Sequence, residues 1–189
     1  MEPRIKLPTV HGDFEIFHFN KENQEGVVIF KNIDNDSVPF LRIHSSCLFS
    51  EAFSSTDCDC SSQLDSAFRY IKNNGGIIIY LYQEGRGVGL EEKVKSIHLE
   101  QNLHLHTAEA FTHLGHDQDP RNYDAVVAIL KDMKIAKVNL GTANPRKISA
   151  LVEAGIEVND RIHLDIDSNE VIDKYLASKV EHLGHYEKY

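Results

Sequence analysis

The cysteines of this 189-residue chain fall in one short stretch with the spacing C-x10-C-x-C: they are Cys47, Cys58 and Cys60. Three thiols cannot all pair, and a disulfide across a single intervening residue would be strained. Three thiolates suit zinc, a tetrahedral ion that takes sulfur ligands, and they leave its fourth position for water, as in catalytic sites. The spacing alone also allows a closed structural site, with His44 or an aspartate as fourth ligand, or three unrelated buried thiols.

The apolar pattern predicts an α/β fold: one domain over residues 1–189, with a mixed sheet flanked by helices and a strand-rich N-terminal part. Apolar segments around residues 14–16, 27–30 and 39–45 predict strands. Beyond residue 60, predicted helices and strands alternate. The helices cover 64–74, 90–97, 123–133 and 145–154, the strands cover 76–82, 137–142 and 156–164, and a last helix is capped by Ser168.

The formal net charge of -9 argues against a general binder of nucleic acids or anionic membranes. The chain has no apolar run of membrane-spanning length, and its first residues lack the apolar core of a signal peptide, so we expect a cytoplasmic protein. An anionic small molecule remains compatible with this charge, provided that cations are concentrated locally. The positions of individual arginines and lysines are therefore informative.

Three predicted strands end in segments that carry cations: RIHSSC at 42–47, YQEGRGVG at 82–89 and LGTANPRK at 140–147. In α/β sheets, ligands bind beyond the carboxyl ends of strands. Arg86 lies in a glycine-rich turn, where a guanidinium can clamp phosphate. Arg146 and Lys147 lie in the first turn of a predicted helix and oppose its dipole, so either an anion bridges them or both point into water.

The segment DQDPRNY predicts a helix cap, with Asp119 at the N-cap, Pro120 at the first helical position and Arg121 presented by a rigid turn. The chain also has several histidines outside these segments. We interpret the pair His104 and His106 as surface or packing residues, and we interpret His182 and His185 as tail residues without a ligand role.

Taken in order, the segments RIHSSC, CDCSSQL, YQEGRGVGL, DPRNY, TANPRK and HLGH resemble GTP cyclohydrolase II, the zinc enzyme that opens the riboflavin pathway. The resemblance covers nearly the whole chain. It implies one Zn²⁺ per chain on the three cysteines, Asp119 as proton acceptor, and Arg121 as a nucleophilic or phosphate-directed residue. It implies substrate contacts at Arg42, Ile43, His44, Ser45, Ser46, Gln63, Glu84, Gly85, Arg86, Thr107, Thr142 and Lys147.

The same resemblance implies a homodimer that acts on GTP, with Mg²⁺ on the nucleotide phosphates. Its reaction opens the imidazole ring at C8 and releases formate and pyrophosphate. The product is 2,5-diamino-6-(5-phosphoribosylamino)pyrimidin-4(3H)-one, in the first step of riboflavin biosynthesis.

The chain departs from the family pattern at four places. Ser46 replaces a glutamate, the segment 49–51 reads FSE instead of TGD, and Ala143 replaces an asparagine. Ile97 stands where the family has a tyrosine thought to assist catalysis, and isoleucine cannot donate a proton. Its position on an apolar stripe suggests a core residue. These departures leave alternatives open: an enzyme that stops at the formylamino-pyrimidine, one that uses another purine nucleotide, or a zinc-stabilised nucleotide-binding module without turnover.

Overall fold

The computed structural model describes residues 3–22, 24–33, 37–165 and 170–186. Its strands are β1 (Ile5–Thr9), β2 (Gly12–Lys21), β3 (Gln24–Lys31), β4 (Phe40–Ser45), β5 (Gly76–Leu81), β6 (Lys137–Leu140) and β7 (Glu157–Arg161). Its α-helices are α1 (Leu48–Glu51), α2 (Cys60–Asn74), α3 (Leu90–Leu103), α4 (Thr107–His113), α5 (Asp124–Asp132), α6 (Pro145–Glu153) and α7 (Glu170–Leu183). A short 3-10 helix covers Glu84–Gly87.

The strands form one seven-stranded sheet in the order β1-β2-β3-β5-β4-β6-β7. The pairs β1–β2, β2–β3 and β3–β5 are antiparallel, whereas β4 pairs in parallel with β5 and β6, and β6 with β7. The predicted mixed sheet with a strand-rich N-terminal part is therefore confirmed. Because β5, β4 and β6 are parallel neighbours, their carboxyl ends meet at one edge of the sheet.

Helices cover both faces of the sheet. On one face, Ile77 and Ile79 of β5 pack in a cluster with residues of α5 and α6, and on the other face Ile78 packs with Ile71 of α2. All three β5 isoleucines are 0% exposed. This explains the uninterrupted apolar run, since a strand covered on both faces needs no polar positions. Burial of each such side chain contributes about 1.5–3 kcal/mol.

Two local predictions are wrong. The α3 helix forms, but its apolar stripe is not core: Leu90 and Val94 are 39% and 50% exposed, while Ser96 is buried. Asp119 does not cap a helix, because α5 begins at Asp124 with Tyr123 as its N-cap residue. The α4 helix lies in a segment for which the sequence makes no prediction, and the predicted cap Ser168 lies outside the described residues.

Within the described ranges, none of the helices combines the length and the apolar character that crossing a bilayer requires.

Candidate functional site

A cleft of about 510 Å³ lies at the edge where β4, β5 and β6 end. Most of the residues predicted to bind metal or substrate line it: Arg42, His44, Ser45, Ser46, Cys47, Cys58, Cys60, Gln63, Glu84, Gly85, Arg86, Thr107, Arg121, Thr142 and Lys147. The other two predicted residues, Ile43 and Asp119, do not line it, and they are 0% and 3% exposed. The cleft also includes Ile97, which is half-buried and is therefore a cleft residue and not a core residue.

The three thiols converge at one end of this cleft. Cys47 follows β4 and precedes α1, while Cys58 and Cys60 lie where the chain enters α2. Their sulfur atoms all lie within 4.8 Å of one another, and the Sγ atoms of Cys47 and Cys58 are 3.7 Å apart. Tetrahedral zinc with Zn–S bonds of about 2.3 Å requires sulfur separations of about 3.8 Å. The donor set and its spacing therefore fit a tetrahedral, thiophilic metal ion.

The electrostatics of the cluster favour thiolate at one of the three positions. Hydrogen bonds with the Cys58 and Cys60 thiols lower the pKa of Cys47, and Cys47 in turn raises the pKa of both partners. Lys93 donates from Nζ to the Cys47 sulfur at 3.2 Å. A bound cation would favour thiolate at all three positions, since metal ligation requires deprotonated cysteine.

Glu51 holds the backbone of Cys47 in place. Its carboxylate accepts hydrogen bonds from the Cys47 backbone N–H at 2.9 Å and from the Tyr80 hydroxyl at 2.6 Å, and it lies 3.0 Å from Nε2 of His44. Burial lowers the pKa of His44, although Glu51 opposes the shift. Among the residues that the structure describes, no His, Asp or Glu joins the three sulfurs in a potential metal site. The closed site with His44 as fourth ligand is thus not formed here.

A chain of buried polar contacts crosses the floor of the cleft. Arg42 donates to the Gly141 carbonyl oxygen at 2.8 Å and to the Gln63 side-chain oxygen. The Gln63 amide group donates to Asp59, which is 0% exposed and also accepts from Lys179 Nζ at 3.0 Å. Gln63 therefore uses both ends of its amide within the protein, and this holds the Arg42 guanidinium in place.

Arg121 is held by a two-pronged ion pair. Its Nε and Nη2 atoms donate to the two carboxylate oxygens of Asp119, each at 2.7 Å, and Arg146 Nη1 lies 3.6 Å from Oδ2. Burial would raise the pKa of Asp119, but Arg121, with help from Arg146 and Arg86, lowers it to about 2. Asp119 is thus a buried carboxylate that orients an arginine toward the cleft.

The start of α6 places one cation in the cleft. Asn144 caps the helix by accepting from the Arg146 backbone N–H at 2.9 Å, with Pro145 at the first position as predicted. Lys147 is 6% exposed and donates to the Ile43 carbonyl oxygen at 2.9 Å. Its pKa is lowered well below the usual value by burial and by the charges of Arg42 and Arg121. Crowded cations of this kind favour an anionic ligand over exposure to water.

The glycine-rich turn after β5 brings Glu84 and Arg86 to the cleft. Gly85 and Arg86 are left-handed, with φ of 59° and 58°. Arg86 Nη1 donates to the Gln118 carbonyl oxygen at 2.5 Å. Glu84 accepts from the Leu48 backbone N–H at 2.7 Å and from Lys93 Nζ at 2.5 Å, so it connects the turn to the cysteine cluster.

Several cleft residues were not predicted from the sequence: Lys93, Asn144, Lys179 and His185. Lys93 lies on α3, only a few residues beyond the EGRGVG turn, so it could have been predicted as a cleft residue from this proximity. Asn144 is 3% exposed, and its side-chain amide nitrogen has no hydrogen-bond partner. Lys179 gives no local signal. His185 ends the HLGH segment, and its interpretation as a tail residue is wrong, because the fold brings it to the cleft.

Three named proteins are similar to this chain over nearly its whole length. A Campylobacter fetus protein named GTP cyclohydrolase-2 is 43% identical over 182 residues, covering 95% of this chain and 91% of its own length. A Campylobacter hominis protein of the same name is 40% identical over 180 residues, with coverage of 95% and 91%. The riboflavin biosynthesis protein RibBA of Staphylococcus saprophyticus is 39% identical over 184 residues, covering 96% of this chain.

The chain spans about half the length of such RibBA relatives, 46% in the S. saprophyticus case. The sequence profile of the family described as GTP cyclohydrolase II matches residues 1–163, which include the sheet, the cysteine cluster and most of the cleft. The chain therefore belongs to the GTP cyclohydrolase II family.

Proposed function

We propose that this protein is a zinc-dependent GTP cyclohydrolase II that opens the imidazole ring of GTP at C8 and releases formate and pyrophosphate in riboflavin biosynthesis. The observation that carries the proposal is the convergence of three thiols, two of them 3.7 Å apart, in a cleft that also collects Arg42, Arg121 and Lys147. A thiol cluster together with a group of cations suits a substrate that has a poorly electrophilic ring at one end and a triphosphate at the other. We propose a homodimer, with Mg²⁺ accompanying the phosphates.

The three cysteines would hold the zinc ion, and zinc with an open coordination position supplies an activated water for hydrolysis near neutral pH. Glu51 and Lys93 support this function through Cys47, one by binding its backbone N–H and the other by donating to its sulfur. The buried cations would bind the triphosphate, where charge neutralisation supports cleavage at the α-phosphate.

Arg121 and Asp119 act in this proposal as a unit. A carboxylate with a pKa of about 2 is a weak base, so Asp119 orients Arg121 while their ion pair is intact. A phosphate group that draws Arg121 away would remove the main influence that lowers this pKa. Asp119 would then become basic enough to accept a proton, and substrate binding would activate it.

Glu84 is the better candidate for reading the guanine edge. Both Glu84 and Gln63 have suitable side chains, but the Gln63 amide is bonded at both ends, to Arg42 and Asp59. Each carboxylate oxygen of Glu84 accepts one hydrogen bond, from Leu48 N–H or Lys93 Nζ, and can accept another. A glutamate that accepts from guanine N–H groups would discriminate against adenine, because a mismatch leaves buried polar groups unpaired.

The alternative product has one specific observation in its favour. Ile97 lines the cleft. The resemblance implies a tyrosine thought to assist catalysis at this position, and isoleucine offers no proton or hydrogen bond. An enzyme with this residue can open the ring and release pyrophosphate yet leave the formylamino-pyrimidine as its product.

The test measures formate and pyrophosphate separately after incubation of the zinc-loaded protein with GTP and Mg²⁺. Equal yields of both support the full reaction, and pyrophosphate with a formylated product supports the alternative. In that second case, Ile97→Tyr is expected to raise formate release at least tenfold. Val94→Tyr, an exposed site on the same helix, is the matched control. Nucleotide binding without either product would refute the enzymatic proposal, and turnover of another purine nucleotide alone would refute GTP as substrate.

A further inference from the structure

The C-terminal segment, which we define as residues 170–186, reaches the cleft from outside the part of the chain that the family profile matches. It consists of α7 and the three residues that follow the helix. Among its side chains that the structure describes, three line the cleft: Lys179, Leu183 and His185. One wall of the candidate site is thus built by a segment that lies outside the match to the family profile.

Specific contacts hold this segment against the cleft. Lys179 Nζ donates to Oδ1 of Asp59 at 3.0 Å, and Asp59 lies between two of the cysteines. At the other end, the Tyr186 backbone N–H donates to the Ala143 carbonyl oxygen at 3.0 Å. The Arg161 guanidinium stacks 4.4 Å from the centre of the Tyr186 ring. The segment is therefore attached on both sides of His185.

The imidazole of His185 has an unsatisfied buried atom. Its Nε2 is excluded from solvent and has no hydrogen-bond partner. Burial, followed by the charges of Lys179, Arg121 and Lys147, lowers the pKa of His185 to about 3. A buried polar atom without a partner is costly, and such atoms are rare in folded proteins. The positive charges of Lys179, Arg121 and Lys147 act on this imidazole more strongly than the negative charge of Asp119, so its surroundings favour an anion.

We propose that Lys179 and His185 bind the phosphate chain of the nucleoside triphosphate, so that the C-terminal segment completes the substrate site. The proposal rests on the proposed function. His185 Nε2–H donates to a phosphate oxygen, and Lys179 adds a positive charge to those of Arg121 and Lys147. Hydrogen bonds to charged groups contribute about 1.5–3 kcal/mol, which corresponds to roughly a tenfold to a hundredfold change in affinity.

The test uses the full chain with zinc and compares His185→Ala and Lys179→Gln with two controls outside the cleft, His163→Ala and Lys131→Gln. Both control residues are exposed. Calorimetric titration measures binding of a non-hydrolysable GTP analogue with Mg²⁺ and of inorganic tripolyphosphate. We expect each cleft variant to weaken both ligands about tenfold or more and each control to stay within twofold. Circular dichroism melting verifies that the variants are folded.

Unchanged affinity for both ligands in His185→Ala and Lys179→Gln would overturn the proposal. Weaker binding of the GTP analogue with unchanged binding of tripolyphosphate would overturn it as well, because the contact would then lie away from the phosphates. These outcomes leave the proposed function intact, since wild-type binding and turnover of GTP are unaffected by them. Failure of the wild-type protein to bind the GTP analogue would instead refute the proposed function, and this proposal with it.

Discussion

The ion pair between Asp119 and Arg121 makes a quantitative prediction for acid stability. The folded-state pKa of Asp119 is about 2, whereas the unfolded chain holds an aspartate near 3.9. Because the pKa is lower in the folded state, the charged carboxylate stabilises the fold when the pH is above the pKa of the unfolded state. This stabilisation is lost as the pH falls toward the pKa of the folded state. Asp119 therefore contributes about 2–3 kcal/mol at pH 7, and this contribution disappears between about pH 4 and pH 2.

Asp119→Asn removes this titration while keeping the size of the side chain. We expect the substitution to lower the free energy of unfolding by about 3 kcal/mol at pH 7, because it leaves the half-buried Arg121 without its carboxylate. The difference in the free energy of unfolding between wild type and variant should then decrease by about 2–3 kcal/mol as the pH falls from 5 to 2.

Urea unfolding of the metal-free proteins across this pH range measures the effect. Asp117→Asn is the matched control, since Asp117 is an exposed acid two residues away. A wild-type-minus-variant difference that stays constant from pH 5 to pH 2 would refute the reasoning. It would mean that the carboxylate of Asp119 is not stabilised by its neighbours.

Two further substitutions test the site. Cys58→Ser removes one of the three sulfurs, so we expect the zinc content of the purified protein to fall well below one ion per chain. Plasma mass spectrometry measures this content, and an unchanged value would exclude Cys58 as a ligand. Gly85→Ala forces a left-handed φ of 59° on alanine and brings its Cβ to 3.1 Å from that of Lys93, so we expect a loss of at least about 1 kcal/mol in urea unfolding. Gly184→Ala, at a similar φ of 64° with no atom within 4 Å of the added carbon, should cost less, and an equal cost would rule out the contact with Lys93.

Elements whose packing follows from a local sequence pattern could be predicted from the sequence. The β5 run, the α2 spacing and the Pro145 start of α6 each follow from local periodicity or capping, and the structure confirms all three. The convergence of the three strand ends also followed, because parallel neighbours share an edge. The structure brings the predicted cysteines together, while their role as zinc ligands stays a prediction.

Other features depend on contacts between distant parts of the chain. The stripe of Leu90, Val94 and Ile97 has helical spacing, yet periodicity cannot tell a core-facing stripe from one that faces solvent or a cleft. Asp119 lies before a proline, as a cap would, but its carboxylate is bound by Arg121 and a helix does not begin there. The proposed role of His185 depends on how α7 packs beside the cleft, and the local sequence pattern does not predict that packing.

The central position of Arg42 has a consequence for how quickly a ligand can be accommodated. Arg42 lies on β4 inside the sheet and is only 2% exposed, with bonds to Gly141 and Gln63. Its orientation is fixed when the sheet forms, so the floor of the cleft is preorganised before any nucleotide arrives. A ligand that contacts Arg42 would then bind without rearrangement of the floor.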